Sequence, residues 1–400
     1  MRVGRGWIWG TVLLLAAALS SPARSAPAQK RLAFLVDSWY PRSHADVIGT
    51  RFLEGYRVGD RAYPSPVTVG SVWTESPRPR DMTRTLAAKY GFRVASSIAD
   101  ALLEDAGGRR LAADGVLIAT REDLPERGTA PSPTPRLQVV REVLRILDQT
   151  GSRVPVFIDK MVAANWPDSQ TIVSEAARRG VPLMGGSVLP YVPLDRPLRT
   201  AKVEVAVAVA STPYRAFAIH AAELLQGFLE QRGPQETGVS SVREVGLGYW
   251  SLPDRDRWGA KVLDALIASA KTRRARAPVV PAGLGPETTV VLIQYVDGTR
   301  AVLAFIPRVF DDKEFLLGAQ YGDGSIATSG LVLQGEPFDH FGYLVHALVE
   351  FYTTGRPVVP IERTLLTTGL IVTGQRAREA GGPVTSPPLT VSYQVPRRPP

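Results

Sequence analysis

The sequence predicts an α/β chain of two units: a doubly wound parallel-sheet domain over residues 26–195, then an α+β domain over 196–400 with a mostly antiparallel open sheet. Three observations predict it. From about residue 30 to residue 196 short apolar runs alternate with helix-spaced stretches, the pattern of a parallel sheet covered by helices. Past residue 197 longer alternating strands appear, two of them flanking Asp297-Gly298, a strong hairpin signal. At 400 residues the chain also exceeds one ordinary core.

In the first unit, residues 32–36 read as strand one and 45–56 as the helix after it, with Val47, Phe52 and Tyr56 on its inner face. Residues 67–73 are strand two. A helix over 80–90 stops at Gly91, Val94 lies in a short strand, and Ser97 precedes a helical turn as an N-cap. Residues 115–120 form a buried strand. The stretch 121–136 contains four prolines and little that packs, so it reads as a long surface loop and a candidate lid. Helices over 137–147 and 168–179 alternate with strands over 154–158 and 181–184. In the second unit 201–210 is a long strand, 219–229 an amphipathic helix, 239–245 a strand and 258–270 a helix. Residues 288–295 and 301–306 form the hairpin, 338–351 and 362–378 are helices on the same side of the sheet, and the tail from Gly381 is proline-rich and extended.

Residues 1–25 read as a signal peptide: Arg2 and Arg5, an apolar run over 7–19, and Ala23-Arg24-Ser25 as the cleavage site. The run is shorter than the ~20 residues of a membrane helix, so no transmembrane span is expected after cleavage and the mature protein is exported, periplasmic or secreted. An uncleaved N-terminal anchor is the alternative. Cleavage lowers the formal charge of +9 by three, to a mildly basic +6. The block at 271–276 holds much of the excess, but no aromatic residues interleave it, so nucleic acid is not an expected partner. With no cysteine, disulfides and thiolate chemistry are excluded.

Several stretches resemble the Gfo/Idh/MocA family of sugar-active dehydrogenases: MTRTLAAKYGFRVASSIADALLE (82–104), DGVLIAT (114–120), VPVFIDK (154–160), SEAARRGVPLMGGSVLPYVP (174–193), AFAIHAAELLQGF (216–228) and GEPFDHFGYLVHALVEFYTTGRPVVPIE (335–362). The resemblance spreads over most of the mature chain. It implies a Rossmann-like first domain, NAD(P) as cofactor, and catalytic roles for Lys160, which follows a buried strand, and His220, which exchanges a proton with a substrate hydroxyl. Departures are specific. Asp159 and Met161 replace the family's Glu and Pro around the lysine, and Ala216 replaces an aspartate four positions before the histidine. Above all, FLVDSWYPRSHADVI (34–48) has no glycine where the family's Gly-rich turn meets the pyrophosphate. Trp39 and Tyr40 are expected to plug that space over the strand ends, and Pro41 removes an N–H.

The candidate ligand-binding residues are therefore Asp37, Arg42, His44, Glu75, Thr120, Asp159 and Glu223, beside Lys160 and His220. Arg42, Ser43 and the helix start could hold a small anion in place of a pyrophosphate. Glu75 stands near the position of the ribose-binding acid. His220 and Glu223, three apart on a helix, share a face, where a structural pairing is expected rather than a metal site; His340 and His346 read as structural. Arg2-Val3-Gly4-Arg5 lacks adjacent arginines, so export unfolded, without cofactor, is expected. The expected function is binding or conversion of a small polar or carbohydrate ligand in the interdomain cleft, with a homo-oligomer through the C-terminal sheet considered. The alternatives are an NAD(P)-dependent oxidoreductase with a remodelled turn and a non-catalytic recognition protein on the same fold.

Overall fold

The computed structural model describes Met1 and residues 29–105, 108–121, 134–274, 281–333, 335–380 and 389–396. The expected signal peptide, most of the candidate lid and the end of the basic block lie outside the described residues.

The first unit runs β1 (Lys30–Val36), α1 (His44–Glu54), β2 (Tyr56–Val58), β3 (Arg61–Tyr63), β4 (Val67–Thr74), α2 (Thr83–Tyr90), β5 (Arg93–Ala95), α3 (Ile98–Leu102), β6 (Gly115–Ala119), α4 (Arg136–Thr150), β7 (Val156–Asp159), α5 (Trp166–Arg178) and β8 (Leu183–Gly186). Its sheet has the order β5-β4-β1-β6-β7-β8, with every neighbouring pair parallel. Both faces are covered, which is why β1 reads as one apolar run: Leu32, Phe34 and Val36 enter one core, Ala33 and Leu35 the other. Ser43, Ser97 and Asn165 cap their helices by accepting the N–H three residues on. The helix expected over 45–56 ends at Glu54. Gly55 breaks it at φ 89°, and Tyr56 opens the β2–β3 hairpin instead of lying on the helix.

The second unit runs β9 (Val203–Ala210), α6 (Tyr214–Leu229), β10 (Gln235–Glu236), β11 (Val239–Glu244), α7 (Ala260–Ser269), α8 (Pro281–Leu284), β12 (Thr289–Tyr295), β13 (Arg300–Phe305), β14 (Glu314–Tyr321), β15 (Ile326–Val332), α9 (Phe341–Thr354), α10 (Ile361–Ala380) and β16 (Tyr393–Gln394). Its main sheet is β11-β12-β13-β9-β14-β15, antiparallel except for β13 beside β9. The β14–β15 hairpin was absent from the sequence expectation. In the tail, β16 pairs with β10.

Helices cover both faces of this sheet, not one. Ala206, Ala208, Leu303 and Phe305 face the core shared with α6 and α10, while Val205, Val207, Val209 and Leu292 pack with Val262, Leu263 and Leu266 of α7. Helix α9 packs on α1 and β2, and α10 on α5 and β8, so the last helices bind the two units together. Among the described residues no helix is long and apolar enough to cross a membrane.

Candidate functional site

The parallel sheet delivers its chemistry at one edge. Asp37 follows β1, Glu75 follows β4, Thr120 follows β6, Asp159 ends β7 with Lys160 next, and Ser187 follows β8. This carboxyl edge is where ligands lie in open α/β sheets. Two cavities open there. One, of about 150 Å³, is bordered by Asp37, Tyr40, His44, Thr120, Arg136 and Lys160. The other, of about 530 Å³, is bordered by Val188, Phe217, His220, Lys313, Phe338 and Phe341. Arg42 and His44 border both.

The turn after β1 differs from its expected form. Trp39 is fully buried and does not plug the strand ends: its indole stacks between Phe34, at 5.9 Å, and Phe92, at 5.7 Å, beneath α1. Gly49 makes room, since a Cβ there would lie 2.6 Å from Trp39 Cζ2. Tyr40 alone borders the small cavity, with the Arg78 guanidinium 4.9 Å from its ring centroid. The turn amides are used internally. Trp39 N donates to Asp81 Oδ2 at 2.8 Å, Tyr40 N to Ser43 Oγ at 3.2 Å, and Arg42 N to Asp46 Oδ2 at 2.8 Å.

Asp159 and His44 form a close pair at the site, with Oδ2 and Nδ1 2.7 Å apart. Asp159 is buried, which alone would raise its pKa, but His44, Lys160 and Arg136 outweigh burial and hold the carboxyl below its usual value. His44 Nδ1 is thereby committed, and the opposite edge of the ring is the one available to a ligand. Asp46, the sequence neighbour of His44, serves the turn instead.

Lys160 sits at φ 66° and donates its backbone N–H to Gly186 O. Among the described residues four non-glycine residues have positive φ, and three of them, Arg42, Lys160 and Phe338, border the cavities. Such concentration of strained backbone is characteristic of ligand sites. His220, from α6, has its ring centroid 6.1 Å from that of His44, and its Nδ1 lies 2.6 Å from Ser187 Oγ. Burial foremost, then the nearby Lys160 and His44, lowers its pKa far below the usual imidazole value, so it is neutral. With Nδ1 engaged by Ser187, Nε2 is its remaining edge.

The structure thus brings together Asp37, Arg42, His44, Thr120, Asp159, Lys160 and His220. It places two candidates elsewhere. Glu223 is fully buried between α6 and α10, accepting from Thr367 Oγ1 at 2.6 Å and lying 3.4 Å from Arg363 Nε; burial pushes its carboxyl above the usual range. It pairs with Arg363, not with His220. Glu75 accepts from Thr134 N at 2.9 Å, so its carboxylate anchors the far end of the 121–136 stretch. Arg42 reaches Glu336 across the cleft at 2.7 Å.

Two contributors were missed. Arg136, expected at the end of a surface loop, starts α4 and is 2% exposed. Its guanidinium donates to the carbonyls of Asp159 (3.0 Å), Met161 (2.6 Å) and Thr120, tying β6 to β7 under the small cavity. Ser187 supports His220. Neither has a local sequence signal beyond its place beside a strand end. Among the described residues no group of three or more His, Asp or Glu is placed to hold a metal.

No family model matches the chain, and no curated protein sequence matches it. Solved structures do. GenD2 from gentamicin A biosynthesis, in complex with NAD, is 15% identical with a TM-score of 0.56, over 91% of this chain and 98% of that one. A probable dehydrogenase from Thermotoga maritima is 14% identical, TM-score 0.55, over 89% and 98%. Scyllo-inositol dehydrogenase from Lactobacillus casei, with bound NAD(H) and scyllo-inositol, is 13% identical, TM-score 0.55, over 89% and 99%. The chain has the two-domain fold of these NAD-binding oxidoreductases, as the resemblance implied. Its own turn does not fit a pyrophosphate laid across it in the usual mode. It has no glycine, three of its amides are bonded to protein side chains, two within the turn and one to Asp81, and Asp37 places a carboxylate beside a cavity of about 150 Å³. Pockets for larger cofactors run to several hundred Å³.

Proposed function

We propose that this chain is an exported protein whose interdomain cleft binds and converts a small polar, sugar-like ligand without a dinucleotide in the usual position. One observation carries the reading. Lys160, His220 and the His44–Asp159 pair converge where the two cavities meet, while the amides that would serve a pyrophosphate are consumed by Ser43, Asp46 and Asp81. The scyllo-inositol found in a structure of the same fold supports a polyhydroxylated ligand.

In this reading Lys160 and His220 exchange protons with the ligand, and the reaction class is elimination, epimerisation or hydrolysis rather than hydride transfer. Neutral His220 presents its Nε2 edge, and Lys160 supplies positive charge where negative charge develops. The test is a panel of aldoses, inositols and sugar acids, followed by calorimetry for binding and NMR for turnover, with the Lys160→Ala and His220→Ala variants beside the parent. Loss of turnover in both variants supports the assignment. Turnover unaltered in both would overturn the catalytic roles of these two residues, and binding without turnover in the parent would leave a recognition protein.

A further inference from the structure

We infer that the small cavity at the strand ends is a subsite for the carboxylate end of a sugar acid, with the remainder of the ligand reaching past His44 into the larger cavity. The inference rests on the reading of the cleft as a sugar-like ligand site, and it names the ligand class.

The cavity offers unspent donors. Thr120 is 4% exposed and its Oγ1 has no hydrogen-bond partner among the described residues, although it borders the cavity. A buried hydroxyl left unpaired is costly, so it points to a ligand atom that completes it. Lys160 borders the same cavity, and its ammonium has no hydrogen-bond or ion-pair partner among the described residues. Helix α1, eleven residues long, directs its N-terminus there. Besides Tyr40 N, Ser43 Oγ accepts the third N–H of the helix, at 3.2 Å, leaving those of His44 and Ala45, which both border the cavity. An oxyanion answers these donors.

Asp37 makes the requirement narrower. It is 9% exposed, and while Arg78 holds its Oδ2 at 2.8 Å, its Oδ1 has no hydrogen-bond partner and only Arg121 at 4.0 Å. A bare phosphate or sulfate would set one anion against another here. A ligand that carries a hydroxyl donor beside its carboxylate satisfies both Asp37 and the cationic wall. That is the chemistry of an aldonate or uronate. It also suits the neighbouring bases, since a carboxylate neutralised by Lys160 acidifies the adjacent C–H.

Calorimetry at pH 7 with D-glucuronate and D-galacturonate, against D-glucose, D-galactose and D-glucose 6-phosphate, tests this. The acids are expected to bind at least tenfold more tightly than the parent sugars, Lys160→Gln to reduce that preference to under twofold, and Thr120→Val, a near-isosteric change, to weaken the acids severalfold. Equal affinity for acid and parent sugar would overturn the subsite while leaving the sugar cleft standing. Tighter binding of the phosphate ester would overturn the carboxylate assignment. No binding by any of the five would overturn both the subsite and the cleft.

Discussion

Replacing Trp39 by alanine separates a structural turn from a blocked cofactor site. The indole is completely buried, stacked on Phe34 and Phe92, with Gly49 against its edge. An aromatic side chain burying up to ~250 Å² is worth at most ~6 kcal/mol at ~25 cal/mol per Å². Compaction of the unfolded chain and relaxation around the cavity reduce this, and measured Trp→Ala losses in cores cluster at ~3–5 kcal/mol. A loss of about 4 kcal/mol is therefore expected, read as a lower urea midpoint by circular dichroism. Trp39→Phe should retain roughly half of it. NAD(H) affinity should not rise, because the indole lies beneath α1 and its removal opens the core rather than the sheet edge. A stability loss under ~1 kcal/mol together with a gain of micromolar NAD(H) binding would refute the placement of Trp39 as a core residue.

Three further outcomes follow from the same coordinates. Gly49→Ala, which raises helix propensity by about 1 kcal/mol, should nevertheless destabilise by ~1–3 kcal/mol, since the added methyl meets Trp39 Cζ2 at 2.6 Å and Phe34 Cε2 at 3.0 Å; in a Trp39→Leu background, where the clash is gone, the same change should cost little relative to Trp39→Leu alone in urea melts. Arg136→Met should cost ~3–5 kcal/mol by orphaning the carbonyls of Thr120, Asp159 and Met161, and thermal melts should show it alongside weakened cleft binding. Burial lowers the pKa of His340 to about 4, aided by Arg51, so between pH 6.5 and about 4 the unfolded chain binds the extra proton and stability falls as pH falls. After allowance for its partial solvation the share of His340 is ~2 kcal/mol. His220 adds to the loss in the same direction, and His340→Gln should flatten the urea midpoint over that window.

The parallel sheet was legible because both its faces are covered, so strands such as β1 appear as unbroken apolar runs between helical spacings. The same logic located Asp37, Thr120, Asp159 and Lys160, since any polar residue directly after such a strand stands at the ligand edge. The β2–β3 and β14–β15 hairpins were not recognised. In β14, Phe315, Leu316 and Leu317 are buried on both faces, so the strand lacks the alternation of a half-exposed hairpin. Trp39 shows a different limit: its place after a strand says that it lies at a turn, but not on which side the ring lies. Gly49, a glycine inside a helix, was the available clue to the ring beneath it. The partner of His44 was out of reach because Asp159 is distant in the chain, while Asp46, nearby, is the apparent candidate. Arg136 stood among prolines that read as loop, and its carbonyl partners exist only once β6 and β7 are aligned.

The most direct test of a cleft that dispenses with the dinucleotide is calorimetric titration of the protein with NAD⁺, NADH, NADP⁺ and NADPH. No saturable heat at millimolar cofactor is the predicted result, with sugar acids still binding in the same buffer. Micromolar affinity for any of the four would contradict it and restore an oxidoreductase with a rebuilt phosphate turn.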